Sequence, residues 1–273
     1  MRNEMTPSEL ERIVSLDPNN PVFIDTETTG LRPGQDEVLS IAIVDKDGNE
    51  LFYSLIRPLK RKRWPNATNI HGITWNDVKM SPTILDVGNE VTDILGQADL
   101  IVGYNLDFDI KMLEENGLPS VDTKRFDLME EYAHAYGRWN DRKNDFLWVK
   151  LAQCAKHYGY TFDAHNALED AKATAYCFQK FKEECAGEIP AAEERYETFL
   201  KQRAEELEIE RAGEQKREAI NREIDTNYKI MIAVVSVVLI LGGMIALVTA
   251  PFVFWFFFVL GIPVVAIVAI AKL

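Results

Sequence analysis

The end of the chain constrains it most. From position 229 to position 273 the only charged side chains are Lys229 and Lys272, and no acidic residue follows Asp225. Ile230 to Val248 is a run of nineteen uncharged residues and Pro251 to Ala271 a run of twenty-one, with only Thr249 and Ala250 between them. At a rise of about 1.5 Å per residue, each run is long enough to cross a hydrocarbon layer of about 30 Å as a helix. A core hairpin of a globular protein fits less well, because "FVFWFFFVL" has no polar face and the rest of the chain can build its own core. The expectation is a hairpin of two transmembrane helices, about 230–249 and 251–271, in a membrane segment at 229–273. A re-entrant hairpin, or one span followed by an interfacial segment, satisfies the same composition. Lys216, Arg217, Arg222 and Lys229 stand near the entry, which places that side, and the domain before it, in the cytoplasm.

Residues 1–228 are of a different kind. They hold 28 Lys and Arg against 43 Asp and Glu, a formal charge of −15. By itself that argues against a nucleic-acid partner. Cys154, Cys177 and Cys185 have no metal-type spacing, and no apolar leader precedes the first strand, which fits a reduced, cytosolic setting. Residues 186–228 are rich in Glu, Lys, Arg and Ala, a composition suited to a long exposed helix. Tyr196, Leu200 and Leu207 sketch a heptad seam that Arg211 and Glu214 break. A solvated stalk is expected, with self-association through the seam as the alternative.

Residues 1–20 read as a short helix capped by Thr6 or Ser8. Three runs, "PVFID", "VLSIAIVD" and "ELFYSLIRP", read as strands joined by turn signals at Pro33-Gly34 and Asp47-Gly48, which gives an antiparallel start. The basic "KRKRWPNATNIHGIT" reads as loop, a helix is expected near 83–97, and "DLIVGYN" reads as a fourth strand. Helical patterns then cover about 106–116, 122–136, 145–158 and 166–184. Three strands followed by a strand woven between helices predict an α/β domain with a mixed sheet over 21–185.

Inside that domain "VFIDTETTGL", Val22 to Leu31, sets a puzzle, an apolar strand interrupted by Asp25 and Glu27. Residues two apart in a strand share a face, so the carboxylates lie side by side and need a proton or a shared cation. All-oxygen ligation suits Mg²⁺ or Mn²⁺ better than zinc. A surface edge strand carrying both acids is the other reading. In "GYNLDFDIKML", Asn105 is placed to cap a helix and Asp107 lines up with Lys111 and Glu114 on a solvated face. Asp109 lines up with Met112 and Leu113 and so points inward, where it needs either a metal or the positive end of the helix. In "HNALEDAKATAYCF", Asn166 and Glu169 form a capping-box pattern that starts a helix at Ala167 and leaves His165 in the loop before it. Asp170 shares the inward stripe of Ala167, Ala171 and Thr174, and from the loop His165 reaches the same site. A helix N-terminus disfavours a charged imidazole, which keeps His165 available as a neutral base. Taken alone, His165 reads as a surface residue.

Together these stretches resemble the DEDDh 3′-to-5′ exonucleases, a ribonuclease H-like family that includes the proofreading subunit of bacterial replicative polymerases. "FIDTETTGL", "NLDFD" and "HNALED" stand in the family's order, "IHGIT" (Ile70 to Thr74) resembles a further segment, and the likeness covers about residues 20 to 183. The resemblance implies a mixed sheet flanked by helices. It implies that Asp25, Glu27, Asp109 and Asp170 hold two ions, Mg²⁺ or Mn²⁺, with His165 as general base. It also implies that Thr28, Leu31 and Asn105 lie against the terminal nucleotide. Tyr104 stands where many relatives have histidine, a departure that leaves the metal ligand intact. The implied partner is nucleic acid with a free 3′ end, single-stranded, either DNA or RNA, cleaved to nucleoside 5′-monophosphates. Bound ions also remove the objection from acidity, because carboxylates that hold metals attract phosphate. "KRKR" (Lys60 to Arg63), beside Trp64, has three readings: a strand guide by charge and stacking, a solvated loop, or a contact for anionic lipid. The chain thus reads as a membrane-anchored exonuclease with membrane lipid as a second partner. The alternative is a catalytically weak or inactive tethered nucleic-acid-binding or scaffold protein, against which the intact carboxylate set speaks.

Overall fold

The computed structural model describes residues 4–259. They divide into one compact unit reaching Thr198 and a second from Phe199 onward. In the first, Thr6 caps helix α1 (Pro7–Val14) through a full capping box with Glu9, as the sequence allowed. Strand β1 (Pro21–Thr28) carries apolar side chains on both faces and is accordingly the centre of the sheet. Its neighbours are β2 (Val38–Val44) on one side, antiparallel, and β4 (Leu100–Gly103) on the other, parallel. β3 (Glu50–Leu55) pairs antiparallel with β2 at one edge, and β5 (Arg125–Asp127) pairs parallel with β4 at the other. The order β3-β2-β1-β4-β5 is the mixed sheet that the strand pattern predicted, with one strand more.

Alternation along β1 builds two cores. Phe23 joins Ala42, Val44 and Val102 on one face, while Val22 and Ile24 join Ile41, Ile43 and Ile101 on the other. The second face is covered by α4 (Ile84–Gln97) and α5 (Leu106–Glu115) through Val91, Leu95, Ile110 and Leu113. The first is covered by α8, which starts at Ala167. Ala167, Ala171 and Ala175 fall at four-residue spacing on the buried side of α8, and small side chains there let the helix lie close to the sheet. Phe178 then fills the gap edge-on, 5.5 Å from Phe23 and 5.2 Å from Phe126 between ring centroids.

Four expectations need correction. The helix expected over 122–136 is β5 followed by α6 (Leu128–Tyr136), because Phe126 is drawn into the core and its backbone pairs with Val102. The helix expected over 145–158 is shorter, α7 (Leu151–His157). Ahead of it β6 (Trp139–Asn140) and β7 (Asp145–Phe146) form a hairpin, with Trp139 edge-on to Phe146 at 5.1 Å and Asn144 at φ 51° in the turn. The segment read as loop after Lys60 contains α2 (Pro65–His71) and α3 (Trp75–Val78). Pro65 starts the first, and Gly72 ends it at φ 76°. Finally, α8 is one helix over Ala167–Val259 rather than several. It passes Pro190, with Ile189 and Ala192 still packed on the core beyond the expected domain end at 185.

Beyond Thr198, α8 leaves Leu200, Leu207, Ile220 and Ile224 exposed. One window of α8 is long and apolar enough to cross a membrane, and none of it is buried. The expected turn at Thr249–Ala250 does not form: α8 continues through Pro251 to Val259. The rest of the second apolar run, from 260, lies outside the described residues.

Docking of α8 through Phe178 predicts that Phe178→Ala costs about 3–5 kcal/mol, the range for a buried Phe truncation. Denaturant unfolding followed by near-ultraviolet circular dichroism checks this, and a loss below about 1 kcal/mol would mean that this contact does not hold the helix.

Candidate active site

The last turns of β1 and the first turns of two helices meet at one place. Asp25 and Glu27 are half-buried on β1, opposite Ala42 and Ser40 of β2, small residues that leave room for them. Asp109, 3% exposed in the first turn of α5, accepts the backbone N–H of Thr26 at 3.0 Å and its hydroxyl at 2.6 Å. Asp170, in the first turn of α8, accepts the backbone N–H of His165 at 2.9 Å. His165 is itself exposed and sits at φ 70° in the turn before α8. Asn166 Oδ1 receives the N–H groups of Leu168 (3.1 Å) and Glu169 (3.4 Å), so the helix starts where its capping pattern predicted.

Glu27, His165 and Asp170 each offer one ligand atom, and these atoms lie within 4.8 Å of one another. Burial, followed by the charges of Asp109, Asp170 and Glu27, holds the Asp25 carboxyl well above its ordinary range. Burial, followed by Asp170 and Asp109, pushes Glu27 to about 8. Burial also raises Asp109 and Asp170, opposed by the Thr26 bonds in one and the His165 N–H in the other. Among the described residues no Lys or Arg is ion-paired with any of the four. Two helix N-termini supply partial positive charge, which falls short of four carboxylates. Uncompensated oxygens around one imidazole fit a hard divalent cation, and the donor set therefore matches the metal that its sequence pattern implies.

Two cavities meet at His165. One, of about 610 Å³, is lined by Glu27, Thr28, Leu31, Arg61 and His71. The other, of about 410 Å³, is lined by Asp25, Tyr104, Trp148, Lys150 and Asp170. Thr28 and Leu31 thus border the site, the latter 82% exposed at its rim. Asn105 lines neither. Its left-handed backbone, φ 72°, differs from that of a capping residue, and its side chain makes no cap bond. Its N–H instead reaches Asp127 at 3.0 Å. Asp107 is solvated beside Lys111, as expected.

Two residues went unremarked in the sequence. Thr26 orients Asp109, and its signal was only its place between the two acids. His71, in "IHGIT", accepts the Ile73 N–H on Nδ1 at 3.0 Å, so its Nε2–H donates to the Thr28 carbonyl at 3.2 Å and pins the end of β1. Tyr104 donates its hydroxyl to the Val149 carbonyl at 2.6 Å, a structural tie between β4 and the segment before α7. Trp64 is 4% exposed with its indole bonded to the Ile73 carbonyl, so it offers no ring for stacking beside the basic run.

A mixed sheet of this order with clustered carboxylates at its central strand defines the ribonuclease H-like exonuclease fold. The chain belongs to the exonuclease family: residues 22–178 match the family described as Exonuclease (RNase T). Its domain is of the DEDD type, whose members hydrolyse nucleic-acid phosphodiesters. It is 33% identical over 169 residues to the uncharacterized exonuclease CP81 of Escherichia phage 186, covering 56% of this chain and 83% of that protein. It is 29% identical over 174 residues to a PolC-type DNA polymerase III of Thermotoga maritima, covering 59% of this chain and 12% of that protein. Product-bound exonuclease I shares the fold at a TM-score of 0.50 with 21% identity, over 62% of this chain and 44% of that one.

Each of the four carboxyls is raised on folding, so the folded metal-free state binds more protons than the unfolded one. Stability from this source is full below the ordinary carboxylate range and is lost as pH rises toward the Glu27 value of about 8. The expected outcome is that Glu27→Gln and the metal-free wild type melt alike near pH 5, while the variant melts higher at about pH 8. Saturating Mn²⁺ should raise the melting temperature of the wild type at the upper pH and that of the variant less. Equal melting of the two proteins across this range without metal would contradict the account.

Proposed function

We propose that this chain is a membrane-anchored exonuclease that shortens a single nucleic-acid strand from its 3′ end and releases nucleoside 5′-monophosphates. The observation that carries the reading is the convergence of Asp25, Glu27, Asp109 and Asp170 beside an exposed His165 in a domain of the exonuclease family. Asp25, Glu27, Asp109 and Asp170 would hold two ions, Mg²⁺ or Mn²⁺, which when bound would supply activation of the attacking water and stabilisation of the departing 3′ oxygen. His165 is the most exposed member of the group, lines both cavities, and accepts the proton of that water as general base. Thr26 and the His165 backbone orient Asp109 and Asp170, and Thr28 and Leu31 bound the space for the terminal nucleotide. The exposed apolar window of α8 supports membrane anchorage, and Lys216, Arg217, Arg222 and Lys229 support a domain on the cytoplasmic side.

The test is digestion of 5′-labelled single-stranded DNA and RNA by the full chain in detergent micelles with Mg²⁺ or Mn²⁺. Stepwise shortening from the 3′ end is expected, abolished by chelation and by Asp25→Asn, and slowed about 10²–10⁴-fold by His165→Ala. Shortening from the 5′ end, or turnover indifferent to chelation, would contradict it. A folded chain that binds the strands without cutting them would replace it with the tethered binding module. Leu31→Ala should lose more on paired than on frayed 3′ ends if Leu31 separates the terminal pair. Rates unchanged from wild type on both would remove it from the site.

A further inference from the structure

Two buried carboxylates hold the basic run beside the active site. Glu37, 5% exposed, accepts backbone N–H bonds from Leu59 at 2.6 Å, Lys60 at 2.9 and 3.0 Å, and Arg61 at 2.9 Å. Asp36, 6% exposed, pairs with Arg61 Nη1 at 3.2 Å and takes the Arg32 N–H at 3.0 Å. Asp36 fits there because residue 30 is glycine, where a Cβ would stand 2.6 to 2.8 Å from the carboxylate atoms. A line of contacts therefore runs from the turn after Glu27, through Asp36, to Arg61. The Arg61 side chain lines the same cavity as Glu27 and His165 and remains 45% exposed. A guanidinium has five N–H donors, so most of its bonding capacity is left over.

A solvated basic loop needs no buried anions under it, and burying a carboxylate costs several kcal/mol unless it is bonded as these are. The bonds fix a cation on the lining of a cavity that Glu27 and His165 share. Of its neighbours, Lys62 lies over the Trp75 ring at 5.3 Å.

We propose that Arg61 clamps an internucleotide phosphate of the strand entering the site, upstream of the bond that is cut, with Asp36 and Glu37 as positioning residues. The proposal rests on the exonuclease reading and narrows its substrate to polynucleotides in preference to dinucleotides. The planar guanidinium fork matches phosphate oxygens, and it acts on a different phosphate from the one at the carboxylates.

The full chain in detergent micelles with Mn²⁺ is compared with Arg61→Ala, Arg61→Lys and Asp36→Asn on a single strand of about 20 nucleotides and on a dinucleotide. Arg61→Ala is expected to raise KM for the long strand about tenfold, with the effect on KM rather than kcat, and to lower the long-to-short preference in kcat/KM correspondingly. The slope of log KM against log salt should fall by about 0.7, the value of one single-strand phosphate contact. Arg61→Lys should restore the slope but not the full affinity, and Asp36→Asn should raise KM with the slope kept. Equal losses on both substrates with an unchanged slope would overturn the clamp. Wild-type protein that shortens neither substrate would refute the exonuclease reading itself, which separates the two failures.

Discussion

Repulsion among Asp25, Glu27, Asp109 and Asp170 is the constraint that the rest of the domain resolves. Each carboxyl is raised by burial, and in Asp25 and Glu27 also by the neighbouring acids, so the cluster opposes folding whenever it is ionised and empty. The scaffold holds it by over-determination. β1 is locked between strands on both sides, α8 is seated on its alanines and Phe178, and Thr26 gives Asp109 two hydrogen bonds. Both aspartates from helices sit in first turns, where the backbone contributes positive charge. What remains unbalanced is of the sign and hardness that a divalent cation neutralises, and the chemistry follows from that remainder.

The same balance explains how an acidic protein can act on a polyanion. A formal charge of −15 over residues 1–228 repels phosphate at long range, beyond a Debye length of about 8 Å only weakly. Attraction must then be local. The carboxylate cluster would provide one centre when it holds metal, and Arg61, paired with Asp36, stands in the cavity that Glu27 and His165 also line, where it would provide a second. The apolar window of α8 is long enough to cross a membrane, and the described residues leave it uncovered.

The site was more legible in the sequence than the fold around it. Asp25, Glu27, Asp109 and Asp170 stood out because acids on apolar faces conflict with burial, whereas His165, exposed in a loop, stood out only by its company and by the family resemblance. The capping residues Thr6 and Asn166 were equally local. β5 was not, because three residues acquire strand geometry only by pairing with β4, and so short a run carries no pattern of its own. The β6-β7 hairpin depends on Trp139 meeting Phe146, and the role of His71 on its meeting Thr28 across 43 positions of sequence. Asn105 misled because its residue type suits a cap while its backbone turns left-handed. The continuity of α8 was hidden by a change of composition, from amphipathic to charged to apolar, that alters the surroundings of a helix without ending it.

The most direct measurement is anomalous X-ray diffraction from crystals of the full chain soaked in Mn²⁺. The account predicts manganese peaks between the Asp25, Glu27, Asp109 and Asp170 carboxylates, two of them about 4 Å apart. Peaks absent from a site whose four carboxylates keep the same arrangement would contradict it, since protons rather than cations would then be holding the cluster together.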